Sequence, residues 1–175
     1  MDDAAAVDLG LLVLRCGLGA VMLAHGYNHI WGGGKIAGTA RWFGSMGMRS
    51  PVLQAWLASA TELAAGVSLI VGLITPLGAA GVIGGMVVAF FINHRGNGFF
   101  IFRPGEGWEY VMTLALVGVA VGALGPGEWS LDEALGIRDD LLGWPGLLIA
   151  VGAGAGGAAV LLLTAWRPQA TTASG

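Results

Sequence analysis

The sequence predicts an all-α integral membrane protein: a four-helix transmembrane bundle, a fifth C-terminal transmembrane helix, and an interfacial segment after helix one. Three observations predict it. Of 175 residues, 55% are hydrophobic and only 11% are charged, against about 25% charged in an ordinary soluble domain. Five apolar runs stand near residues 9–27, 52–74, 76–94, 107–125 and 144–166, each close to the roughly 20 residues that cross a hydrocarbon core. Glycine is abundant, at 32 residues, which suits helices whose backbones approach closely in lipid.

Backbone groups in lipid must be satisfied within their own segment, so each run is read as a helix. The N-terminal "MDDAAAVD" is acidic where a signal peptide is basic, so no cleaved leader is expected. The first run contains Arg15 and the single cysteine, Cys16, which reads as a small packing residue; one cysteine allows no intrachain disulfide or CxxC pair. Residues 28–50 are too polar and glycine-rich to span, and "IAGTARWFGSMGM" reads as a short amphipathic helix along the interface. Runs two and three are separated only by Thr75 and Pro76, which predicts an antiparallel hairpin. Residues 1–125 form the expected core, 126–143 an acidic loop, 144–166 the fifth helix and 167–175 a tail. Gly81–Gly85, Gly118–Gly122 and Gly152–Gly156 are GxxxG pairs. They serve packing within the bundle or, on the fifth helix above all, a face for a second copy or a partner subunit.

Charge sets the expected orientation. One group of loops carries Asp2, Asp3, Asp8, Glu128, Asp132, Glu133, Asp139 and Asp140, with Arg138 its only base; the other carries Lys35, Arg41, Arg49, Arg95, Arg103 and Arg167, with Glu106 its only acid. Basic loops stay in the cytoplasm. The expectation is a cell-membrane protein with its N-terminus outside and its C-terminus cytoplasmic. The same topology explains the bases, so no nucleic-acid partner is read from them. Trp31, Trp42, Trp56, Trp108, Trp144 and Trp166 fall near span ends, as an aromatic belt does.

Arg15, Glu62 and Glu109 fall in or near the apolar layer, where a charge is costly unless paired and faces the bundle interior. Counted from His25, Arg15 lies about 15 Å deep, and Glu62 lies about as deep in helix two. A buried Arg15–Glu62 ion pair is therefore expected. "LAHGYNHIWGGGK" places His25 and His29 at the end of helix one, "FFINHRGNGFF" places Asn93 and His94 at the end of helix three, and "GWEYVM" places Glu109 at the start of helix four. In a bundle these five converge on one side of the membrane.

Such a pocket admits three readings. Histidine donors, a proton route through His and Glu, and an apolar slot between small residues suit a quinone or similar lipid-soluble ligand. His25, His29, His94 and Glu109 could instead ligate zinc, copper or iron, and two facing histidines could ligate haem. The cluster could also be a structural network in a non-catalytic assembly or stability factor. The Glu-x-x-His signature of di-iron bundles is absent, as are a Ser–His–Asp arrangement, a phosphate loop and a dinucleotide fingerprint.

At "LRCGLGAVMLAHGYNHIWGGGK", "ELAAGVSLIVGLITPLGA", "NHRGNGFF" and "GWEY" the chain resembles the DoxX family, over about residues 8–125. The resemblance implies a four-helix membrane fold and an association with redox complexes. Some relatives are subunits of a thiosulfate:quinone oxidoreductase; others belong to a membrane oxidoreductase complex with a superoxide dismutase and a sulfurtransferase. The matching positions are Arg15, His25, Lys35, Glu62, His94 and Glu109; the fifth helix and His29 depart from the pattern. The expected function is a membrane subunit of a redox assembly that binds a quinone-like ligand and anchors an oxidoreductase or other membrane subunit.

Overall fold

The computed structural model describes residues 2–168; most of the expected tail, residues 169–175, lies outside them. Helix α1 spans Asp3–Trp31, α2 Lys35–Ser45, α3 Pro51–Val71, α4 Thr75–Ala89, α5 Glu109–Leu124, α6 Leu131–Ala134 and α7 Trp144–Ala165. A π-helical turn, Phe90–His94, continues α4, and a 3₁₀ turn covers Arg138–Asp140. Among the described residues there is no strand, only an isolated bridge between Met48 and Trp166. Helices α1, α3, α4 with its π-turn, and α7 are long and apolar enough to cross a membrane; α5, at 16 residues, is shorter and equally apolar. The chain is a multi-pass membrane protein.

Helix ends follow local chemistry. Asp2 caps α1 by accepting from Ala5 N at 2.8 Å, one of the donors a helix start leaves unpaired. Pro51 opens α3, where its missing N–H costs nothing. Gly72, at φ 68°, closes α3 in the left-handed conformation that glycine adopts without strain. Segment 35–45 forms α2, the short helix expected after helix one.

Helix α4 sits at the centre, packed against α3, α5 and α7, while α1 lies along α3. Two glycine contacts set these spacings. At Gly19 and Gly66 a Cβ would come within 2.8 Å of the other's carbonyl oxygen, so α1 and α3 touch backbone to backbone. At Gly84 and Gly154 the added atoms would meet Gly154 O at 3.0 Å and Ala80 O at 2.8 Å, which fixes α4 on α7. The fifth span is thus built into the bundle: Gly122 also packs on Ala150 of α7. Gly152 and Gly156, by contrast, face open space.

The 126–143 segment folds back into the bundle end. Asp132, fully buried, accepts from Ile74 N at 2.6 Å and Thr75 N at 3.0 Å, and from Thr75 Oγ1 at 2.8 Å. It thereby supplies α4 with the N-cap its own sequence lacks. Asp132 N donates to Gly72 O at 2.8 Å. Glu128 N donates to Asp8 at 2.9 Å, tying the segment to α1. On its surface, Arg138 contacts Glu128, Glu133 and Asp139. Its pKa is raised, first by the hydrogen bond to Asp139 and then by the neighbouring carboxylates.

The expected Arg15–Glu62 pair is not formed. Arg15 is fully buried at the Asp132 end, where its guanidinium donates to Leu69 O at 3.0 Å and Trp129 O at 2.6 Å. Asp132 acts on it as a nearby opposite charge, not as a contact partner. The reason is helix length. Helix α1 runs on to Trp31, six residues beyond His25, so Arg15 stands about 24 Å from that end, not 15 Å. Glu62, eleven residues into α3, stands about 16 Å from the same side. The two charges miss each other by more than a helical turn, and Glu62 pairs with His29 instead, at 3.0 Å.

Candidate functional site

A cavity of about 660 Å³ runs along α4 from Leu77 to His94, a length of roughly 25 Å at helical rise. Its floor is the small-residue face of α4 at Ala80, Gly81, Gly84 and Gly85. One wall is α3, with Gln54, Leu57, Ala58, Thr61 and Glu62; the other is α7, with Ala153, Gly154, Gly157, Ala158 and Leu161. A Cβ added at Gly85 would meet nothing within 4 Å, because that position looks into the empty slot. Leu57 and Leu77 line the cavity and are also about half exposed on the outer surface. The slot is therefore open sideways, toward the region lipid would occupy.

The end of the slot away from Asp132 is closed by a strap. Arg49 N donates to Ala165 O at 2.7 Å, Arg167 N to Gly47 O at 2.9 Å, and Trp166 Nε1 to Met46 O at 2.9 Å. Arg95 lies over the Trp166 ring, 5.5 Å from its centre. The 46–49 turn thus joins the two walls, α3 and α7, across one end of the cavity, with Phe43 and Met48 packed beneath it.

The polar side chains gather at this closed end. His25, His29, Asn93 and His94, all expected from the sequence, line the cavity, joined by Gln54, Glu62, Glu106 and Tyr110. His25 Nε2 stands 3.0 Å from the Tyr110 hydroxyl. His94 Nδ1 donates to Glu106 O at 2.9 Å, since a carbonyl can only accept, and its Nε2 lies 3.4 Å from the Asn93 amide. The π-turn matters here: it offsets Asn93 and His94 from the α4 ladder, with Arg95 N reaching back to Phe90 O at 2.9 Å. His29 and Glu62 are 3.0 Å apart but too poorly aligned to count as a hydrogen bond.

Two expectations are corrected. Glu109 does not line the cavity. It begins α5 on the far side of Tyr110, and its Oε2 accepts from Ile101 N at 3.2 Å, holding the 95–108 loop. The metal set of His25, His29, His94 and Glu109 does not assemble either: among the described residues no three His, Cys, Asp or Glu side chains cluster as a metal needs. Each histidine has a different neighbour, and Glu109 is turned away. Lys35, at the start of α2, is exposed and outside the cavity.

Sequence reasoning missed Gln54, Glu106 and Tyr110. Gln54 did carry a signal, since an amide in an apolar run is costly unless something uses it. Tyr110 carried none beyond standing next to Glu109.

A family model, described as DoxX, matches residues 10–95, from the first turns of α1 to the end of the π-turn. That range holds most of the cavity's polar end and ends before Glu106, α5 and α7. No curated protein and no solved structure matches the chain.

Proposed function

We propose that this chain, whose residues 10–95 match the DoxX family model, binds a quinone-class ligand in the α3–α4–α7 slot as the membrane subunit of a redox assembly. The observation that supports this best is the shape and chemistry of the slot. It is a long apolar trough, open sideways, that ends in a compact cluster of His, Gln, Glu and Tyr side chains. A volume of about 660 Å³ falls in the range of small-molecule sites, roughly 300–1,000 Å³. A prenyl-like tail would lie over Gly81, Gly84 and Gly85, and a polar ring would sit among His25, His29, Gln54 and Glu62. The basic loops support a cytoplasmic position for this polar end. One cysteine and no nucleotide fingerprint in the sequence leave electron delivery to a partner oxidoreductase.

The test is solvent extraction of protein purified from membranes, with the quinone content measured against a Gly85→Leu variant. Gly85 looks into open space, so leucine fills the slot without pushing on backbone. The expected result is ligand in the wild type and its loss in a variant of unchanged fold. Equal content in both, or none in the wild type together with no uptake of added short-tail quinone or its reduced form, overturns the reading.

A further inference from the structure

We infer that the head end of the slot selects by charge: it admits an uncharged ring and turns away the anionic heads of fatty acids and acidic phospholipids, with Glu62 as the residue that sets the sign. This rests on the quinone-class reading above and names the class of membrane amphiphile that the same site refuses. The shape creates the need for such a filter. The slot is open sideways past Leu57 and Leu77, which line it and are also exposed on the outer surface. A hydrocarbon tail gains little by entering, since it leaves one apolar medium for another. Every lipid around the protein offers a tail, so the head decides what stays.

The distribution of charge gives the sign. Among the described residues no lysine or arginine lines the cavity. Lys35, Arg41, Arg49, Arg95, Arg103 and Arg167 belong to the segments around this end of the bundle, yet all of them are exposed and outside the slot. The carboxylates that do line it are those of Glu62 and Glu106. Glu106 is exposed, whereas the Glu62 side chain is only 14% exposed, and a charge so placed is screened little by salt and water. The histidines do not supply the missing cation. His25 is hydrogen-bonded with the Tyr110 hydroxyl and His94 with the Glu106 carbonyl. His29 stands 3.0 Å from Glu62: without a proton it adds no charge, and with one its charge is spent on that carboxylate. An anionic head would therefore meet a carboxylate and no free counter-charge, the kind of repulsion by which a site rejects a wrong partner. Trp42, Phe43 and Tyr110 also line this end, and aromatic rings attract cations through their faces, not anions.

The test is calorimetric titration of the full chain in nanodiscs of zwitterionic lipid at about pH 8, where an ordinary histidine is uncharged. Empty nanodiscs are the blank, and affinities are compared at equal probe content in the bilayer. Three probes share a decylphenyl body and differ in charge: para-decylbenzoate, its methyl ester, and para-decylphenyl-trimethylammonium. None of them donates a hydrogen bond, so charge is the main difference between them. The ester is expected to bind roughly tenfold or more tightly than the carboxylate, and the cation at least as tightly as the ester. In Glu62→Gln, of nearly the same shape, the carboxylate should close most of that gap while the ester binds as before. Glu62→Met serves if that variant fails to fold. A carboxylate that binds as well as the ester overturns the inference. So does a cation excluded as strongly as the carboxylate, since the slot would then refuse charge of either sign, and so does a gap untouched by the Glu62 changes. If all three probes bind alike and all are lost in Gly85→Leu, the slot remains the ligand site and only the charge selection falls. If none binds, the charge selection also falls, and if decyl-benzoquinone fails to bind as well, the quinone-class reading falls with it.

Discussion

At one end of the bundle Arg15 and Asp132 are fully buried, and nearly every polar atom they carry meets a partner; at the other, beside the cavity, Gln54 Oε1 is buried with none, and His29 and Glu62 meet only as a poorly aligned pair 3.0 Å apart. Arg15 Nε is the single exception at the first end. Both ends place charge inside an apolar bundle, and both are assembled from α1, α3 and α4. The difference separates two uses of buried polarity. A satisfied network fixes one packing, because any other arrangement strands its charges. An unsatisfied one lowers the stability of the empty protein and returns that free energy when a ligand completes it.

The comparison breaks most easily at Asp132. Asp132→Ala orphans two backbone donors and one hydroxyl at the start of α4 and removes the charge nearest Arg15. It should cost about 3–5 kcal/mol, the range for breaking a buried polar pair. The check is thermal unfolding in detergent, where most of the protein should be lost, and a midpoint near wild type would show that the 126–143 segment is no lock. At the other end the same kind of change should act with the opposite sign. Replacing His29 and Glu62 together by leucine removes a poorly aligned pair without leaving a lone charge. Stability should hold or rise, by up to about 4 kcal/mol, while bound ligand disappears on extraction. A large loss of folded protein in this double variant would make the two ends alike.

Glu109 sharpens the boundary of the site. Since it holds the 95–108 loop through Ile101 N, Glu109→Gln keeps an acceptor there and should cost less than about 1 kcal/mol. Ligand content should stay at the wild-type level; a clear drop would return Glu109 to the binding site. The smallest effect is expected from labelling, which leaves stability alone and asks only which end faces which compartment. In a Cys16→Ala background, cysteine at Asp140 should react with an impermeant maleimide on intact cells, and cysteine at Phe102 only after permeabilisation. Both positions are exposed. The reverse pattern would turn the polar end of the slot outward.

Much of this architecture is legible in the amino-acid sequence. The apolar runs locate every spanning helix, because in lipid a run of that length has few alternatives to a helix. Run three ends at His94, where the π-turn ends. The convergence of His25, His29, Asn93 and His94 also follows, since span ends must lie at the membrane faces. What fails is register. Hydropathy marks where a helix enters the apolar layer and says nothing of how far it continues beyond; the extra turns of α1 to Trp31 move Arg15 away from Glu62 and leave His29 as the carboxylate's partner. Glu109 fails for a related reason. A helix start fixes a residue's depth but not its rotation, and the loop before α5 turns Glu109 out and Tyr110 in.

Composition and run length alone place the chain in a membrane, count the helices that cross it, and say which end collects the histidines, because they answer directly to the cost of polar groups in hydrocarbon. Which buried polar atoms find partners is settled only by packing, since that depends on helix length, rotation and the π-turn to within an ångström or so. Packing settles the slot too. Gly81, Gly84 and Gly85 are neighbours on α4, yet one packs on α3, one on α7, and one faces the gap between them. Small residues permit close approach, but whether they are used for contact or left as space is set by the helices that arrive beside them.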